Sequence, residues 1–178
     1  KKWTQTLAED LGEGFEVFTP RMPNSNNAKY QEWKIWFERH FEHINDDVIL
    51  IGCSLGAMFL YKYFIENQAP MKIKALILMA SPVDIEGAEF ADEDCGDFLF
   101  KVEDAAKIEG KSAHIFILHS KDDFLVPYEH GEKLAEAIPS AEFISFEDKN
   151  HFLVEELPEL IDLIKEHGKW VEPEGVEA

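Results

Sequence analysis

The chain has 178 residues, 46% of them hydrophobic and 12% aromatic, enough for one domain with a packed core and too few for two. Seventeen Lys and Arg stand against 36 Asp and Glu, a formal charge of −19, and such a surface repels phosphate backbones and anionic lipid, which argues against nucleic-acid or membrane binding. No apolar run approaches the roughly 20 residues of a membrane-spanning helix, and the first residues lack the apolar core of a signal peptide, so a cytoplasmic protein is expected. Only two cysteines occur, Cys53 and Cys95; they form no disulfide framework and no metal spacing, and free thiols in a reducing compartment are expected.

In chain order, Trp3, Leu7 and Leu11 recur at i, i+4 and i+8 and predict a helix over residues 1–12, ended by Gly12-Glu13-Gly14. Phe15–Thr19 reads as a strand stopped by Pro20, followed by a turn-rich loop over 21–27. An amphipathic helix is predicted from Lys29 to Ile44, with Tyr30, Trp33, Ile35, Trp36, Phe37 and Phe41 on its apolar side.

The apolar run Val48–Ile51 leads into Gly52-Cys53-Ser54-Leu55-Gly56 and then a helix-forming stretch that continues to about Asn67. A serine between a buried strand and a helix sits on a tight turn with its hydroxyl pushed out beyond the sheet edge. Further strands are predicted at Ile73–Met79, His114–Leu118 and Glu142–Phe146, and further helices at 97–108, 128–138 and 158–167. The stretch Ile85–Gly96 is acidic and irregular; its Asp92, Glu93 and Asp94, with Asp97, lack the glycine and spacing of a calcium loop and read as a solvated loop. Residues 1–170 form a single predicted domain, and 171–178 a disordered tail.

Continuous apolar strands alternating with amphipathic helices predict an α/β class: a doubly wound, mostly parallel sheet with helices on both faces. In that architecture ligands bind beyond the carboxyl ends of the strands. Three stretches fall at such ends: Ser54, then Ser120-Lys121-Asp122-Asp123, then Asp148-Lys149-Asn150-His151. A serine hydroxyl needs a base to take its proton and a third group to orient that base, and the order Ser, Asp, His supplies both. Either Asp122 or Asp123 can be the acid. The remaining histidines, His40, His43, His130 and His167, fall in predicted helices where solvated or capping roles are commonest, while His114 and His119 border a strand.

With these residues the chain resembles the α/β-hydrolase superfamily, and within it the small lidless serine hydrolases of the retinoblastoma-binding-protein-9 and YdeN type. The resemblance is carried by Gly52–Gly56, the Asp123–Pro127 turn, the Asn150-His151-Phe152 loop and the Met22-Pro23-Asn24 to Trp33 segment, and it covers most of the chain. It implies Ser54 as nucleophile, His151 as general base and acid, and Asp123, four residues before Pro127, as the acid that orients His151. It further implies an oxyanion hole that uses the Leu55 N–H, and no metal or organic cofactor. Cys53, His119, Phe124 and Phe152 are candidate pocket lining, with Phe90 and Phe98 further candidates.

The implied activity is hydrolysis of a small carboxylic ester, with amide hydrolysis as its rival, by a monomer or small homo-oligomer. The other reading is a protein-binding module on a hydrolase scaffold. The family also implies an apolar first strand ending in a His-Gly turn that gives the second oxyanion donor. This sequence opens in the helix after it, so that strand is expected to lie upstream of Lys1 and to fit between Phe15–Thr19 and Val48–Ile51.

Overall fold

The computed structural model describes residues 2–83 and 93–168. The predicted tail, Phe90 and the side chains of Glu93, Asp94 and Cys95 lie outside what is described, as does most of the acidic stretch. Four strands form one parallel sheet in the order β1 (Val48–Cys53), β2 (Ile73–Met79), β3 (His114–Ser120) and β4 (Glu142–Phe146). The β-branched and leucine-rich runs suit strands covered on both faces.

Alternation along the strands divides the core in two. Leu76, Leu78, Ile115 and Ile117 point to one face, where they meet α2 (Tyr30–Arg39), α3 (Leu55–Glu66) and α4 (Glu129–Ala137). Ala75, Ile77, Met79, Phe116 and Leu118 point to the other and meet α1 (Trp3–Leu11) and α5 (Pro158–His167). Helix α3 is apolar almost all round, and Ala57 through Tyr61, Tyr63 and Phe64 are buried. It therefore serves as a core element, whereas α1 buries a single stripe of Trp3, Leu7 and Leu11. No helix among the described residues is long and apolar enough to cross a membrane.

Three expectations need correction. Phe15–Thr19 is extended, with Phe15 and Val17 partly buried, but it belongs to no sheet. A strand needs a neighbouring ladder to pair with, and among the described residues β1 is paired only on its β2 side. Between that free edge and the 15–20 segment lies a groove of about 530 Å³ whose lining includes Trp3, Phe15, Val17, Ile49, Ile51 and Phe59. This groove occupies the place where sequence reasoning expects a further strand. The predicted helix over 97–108 is two 3-10 segments, Glu93–Phe98 and Val102–Ile108. The second helix ends at Arg39, with a 3-10 turn at Phe41–His43; Tyr30, Trp33 and Phe37 face the core, while Ile35 and Trp36 face solvent.

Candidate active site

The carboxyl ends of the four strands are stitched in steps. The Ser54 N–H donates to the Met79 carbonyl at 2.9 Å, the Ala80 N–H to that of Leu118 at 2.9 Å, and the Lys121 N–H to that of Phe146 at 2.8 Å. The loops that follow therefore leave the sheet from one common edge. Backbone strain gathers there too: Ser54 (φ 54°), Ala80 (φ 46°), Asn150 (φ 54°) and Phe152 (φ 52°) are non-glycine residues at positive φ. Each costs roughly 1–3 kcal/mol and persists only where surrounding contacts hold it.

At the Ser54 turn the steric requirement falls on one glycine. A Cβ on Gly52 would lie 2.6 Å from the Gly56 carbonyl oxygen and 2.7 Å from the Ala57 backbone, so only glycine lets β1 meet the start of α3 this closely. A Cβ on Gly56 would meet nothing within 4 Å, because this residue borders the groove. The Ala57 and Met58 N–H groups bond the Ser54 carbonyl, at 3.0 and 3.1 Å. The Leu55 and Gly56 N–H groups, at the first turn of α3, have no intrahelical acceptor and point their positive dipole at the turn. Among the described residues the Ser54 hydroxyl forms no hydrogen bond of its own, including none to His151.

The Asp123 carboxylate is fully buried, with 0% of its side chain exposed. Its Oδ1 accepts the N–H groups of Leu125 and Val126, both at 2.9 Å, and its oxygens lie 3.1 and 2.8 Å from His151 Nδ1. Burial pushes the Asp123 pKa up, but the donors from His119, His151 and the Val126 N–H outweigh it and hold the carboxyl well below the usual carboxylate range. A carboxylate facing Nδ1 requires the proton on that nitrogen, which leaves His151 Nε2 with a lone pair. Asp123 also acts across the sheet edge. Burial, and after it the Asp123 charge, push the Cys53 thiol up to about 12, which ties the acid electrostatically to the residue before Ser54.

Three bonds pin the His151 loop from outside and one braces it from within. Lys149 N–H donates to Ser120 Oγ at 2.9 Å, Asn150 N–H to Asp122 Oδ1 at 2.7 Å, His151 N–H to Asn150 Oδ1 at 2.7 Å, and Trp3 Nε1–H to the Phe152 carbonyl at 3.0 Å. Ser120 Oγ–H in turn donates to Asp122 Oδ1 at 2.6 Å. Asp122 therefore holds the loop backbone, and Asp123 alone of the two bonds the imidazole. The place of Asp123 four residues before Pro127 is the signal that favours it through the family resemblance, whereas the loop-holding bonds of Asp122 and the tie from Trp3 carry no sequence signal.

The candidate lining residues divide. Cys53 borders the groove and Phe124 is 53% exposed beside Asp123. Phe152 is buried against Phe146 in the α1/α5 core, Phe98 packs edge-on to Tyr30 and Trp33, and His119 is fully buried behind Asp123. These last three have no exposed surface to offer a ligand. His130 is also buried; its Nδ1 accepts the Val83 N–H at 3.1 Å, fastening the loop after β2 to α4 rather than meeting solvent. Among the described residues no group of three or more His, Cys, Asp or Glu side chains is arranged to hold a metal ion.

Known proteins resemble this chain in sequence and, among solved structures, in fold. Serine hydrolase RBBP9 of Rattus norvegicus is 28% identical over 163 residues, covering 92% of this chain and 83% of the relative. The putative hydrolase YdeN of Bacillus subtilis is 24% identical over 160 residues, covering 86% and 81%. The crystal structure of the B. subtilis ydeN product superposes with a TM-score of 0.68 at 20% identity, covering 84% of this chain and 80% of that one. A meta-cleavage product hydrolase, CumD, gives 0.69 at 16% identity, covering 94% and 84%; such likenesses establish the α/β-hydrolase fold. The family model described as serine hydrolase matches residues 1–166, and the chain belongs to that family.

Proposed function

We propose that the protein hydrolyses small carboxylic esters through an acyl-enzyme on Ser54. The observation that carries this reading is the buried Asp123–His151 pair, with Nδ1 committed to the carboxylate at 2.8 Å, on the same sheet edge as a strained serine turn. His151 Nε2 takes the Ser54 Oγ proton as Oγ forms its bond to the ester carbonyl carbon. The carbonyl π pair moves onto oxygen, where the Leu55 N–H stabilises the negative charge. Collapse of this intermediate breaks the bond to the alkoxy oxygen, which leaves as alcohol with the proton from Nε2. Water then repeats the sequence on the acyl-enzyme, with His151 again as base, and releases the carboxylic acid. The steps balance with the ester and one water as the sole reactants.

Turnover of short-chain nitrophenyl esters tests the reading. His151→Ala should reduce kcat by about 10⁴-fold or more while leaving the melting temperature near that of the parent. Retained turnover would move the base role elsewhere. A series of acyl chain lengths, run beside the matching amides, separates ester from amide preference and sizes the pocket.

A second reading, a protein-binding module on this scaffold, is favoured by one observation: the Ser54 hydroxyl makes no hydrogen bond among the described residues. A protein whose Ser54 is unreactive toward acylating probes, yet which captures a protein partner through its acidic surface, would match it.

A further inference from the structure

His119 lies next to last in β3 and has no part in the acyl-transfer scheme, yet its imidazole is completely buried. Its Nε2 lies 3.1 Å from the Val126 carbonyl oxygen and 3.5 Å from Asp123 Oδ2. Among the described residues its Nδ1 is buried with no hydrogen-bond partner. Both groups facing Nε2 are acceptors, so a neutral ring carries its proton there and leaves Nδ1 as an idle lone pair. An idle buried nitrogen is unfavourable, and packing alone would be served as well by an apolar side chain of the same size. The reason for an imidazole is therefore on the Nε2 side.

Of the two acceptors there, the Val126 carbonyl takes the shorter contact, and Asp123 is the one that also bonds His151. Its Oδ1 is occupied by two backbone N–H groups, which leaves Oδ2 to His151 at 2.8 Å and His119 at 3.5 Å. The ring is held in place from behind. A Cβ on Gly131 would come within 2.8 Å of His119 Nδ1 and 2.9 Å of its Cβ, and the Tyr128 ring stands edge-on at 5.9 Å. Helix α4 thus lies flush against the imidazole.

We infer that His119 is a positioning residue. Its Nε2–H, shared between the Val126 carbonyl and Asp123 Oδ2, fixes the plane of the buried carboxylate so that Oδ2 meets His151 Nδ1. This rests on the reading of Ser54, His151 and Asp123 as one catalytic unit. It differs from a merely structural role in what replaces the residue: a donor at the Nε2 position should suffice, and volume alone should not.

Three variants and two readouts test it. In His119→Gln the amide N–H can occupy the place of Nε2; in His119→Asn the shorter amide places its N–H near the idle Nδ1; His119→Leu keeps volume without a donor. The first readout is the low-field proton resonance of His151 Nδ1–H, assigned by its loss in His151→Ala. The second is kcat and KM on a nitrophenyl ester, with thermal melting as the control for folding.

The wild type and the Gln variant should show the resonance, and the Asn and Leu variants should lose it or shift it upfield. The kcat of the Leu variant should fall about 10-fold, the scale of one hydrogen bond to a charged group, with KM little changed and most of the loss recovered in Gln. An unchanged resonance in the Leu variant overturns the inference, as does a Gln variant no better than Leu, or a wild type with no such resonance. If the Leu variant fails to fold, the contrast between Gln and Asn decides. A wild type that shows the resonance but cleaves no ester sinks the ester reading, while loss of the resonance in the Leu variant still supports the role of His119.

Discussion

The two halves of the site are built differently. On the β3–β4 side every group is tied: Asp123 meets His151, His119 and two backbone N–H groups, and the His151 loop is fastened to Ser120, Asp122 and Trp3. On the β1 side the serine sits at φ 54° on a turn beside a strand that, among the described residues, is paired along one edge, with an apolar groove against the other. Backbone strain is present in both, at Ser54 and at Asn150 and Phe152, but side-chain hydrogen bonds fix the first half and steric exclusion at Gly52 fixes the second. Damage to the first should therefore appear in chemistry, and damage to the second in stability.

Asp123→Asn puts the first half under the largest load. The amide can no longer hold His151 in its Nδ1–H form as a charged acceptor, and kcat should fall about 10³–10⁴-fold on a nitrophenyl ester. The same variant carries a pH signature. A carboxyl with a depressed native pKa contributes stability that is present above its unfolded value and disappears as pH falls through the native one. The gap in unfolding free energy between wild type and Asp123→Asn should thus be constant at neutral pH and shrink below about pH 4. Urea melts across that range measure it, and a gap that widens toward acid would contradict the bonding seen around Asp123.

Gly52→Ala tests the second half. A methyl group driven to 2.6 Å from backbone can be relieved only by separating β1 from α3, so a loss of about 3 kcal/mol, the upper range for overpacking, is expected in denaturant melts. Gly56→Ala, which meets nothing within 4 Å, should cost far less, and equal losses would place the crowding elsewhere.

Asp122→Asn should have the smallest effect. It weakens one bond to the Ser120 hydroxyl and one to the Asn150 N–H near solvent, for about 1 kcal/mol of stability. It should spare kcat far more than Asp123→Asn does. A larger rate loss in Asp122→Asn than in Asp123→Asn would reverse the assignment of the two acids.

Sequence patterns made the strands and the order of the three candidate residues legible, because continuous apolar runs and strand-end positions are local features. Ile73–Met79, Glu142–Phe146 and Pro158–His167 appear with the bounds expected. What failed depends on partners distant in sequence. Phe15–Thr19 has a strand's alternation but no ladder to join. Ile35 and Trp36 look apolar on a helical wheel, but the core accepts only the Tyr30, Trp33 and Phe37 face. His119 was visible as a histidine at a strand end, but a place behind Asp123 rather than in a pocket wall follows only from how closely α4 packs at Gly131.

In the proposed scheme the Ser54 hydroxyl is the nucleophile, activated by the His151–Asp123 pair. Intact-mass measurement followed by peptide mapping, after exposure to a fluorophosphonate probe, tests this assignment. Wild type should gain one phosphonyl adduct on the peptide containing Ser54, His151→Ala should gain it far more slowly, and Ser54→Ala should gain none. Equal labelling of wild type and Ser54→Ala would contradict it.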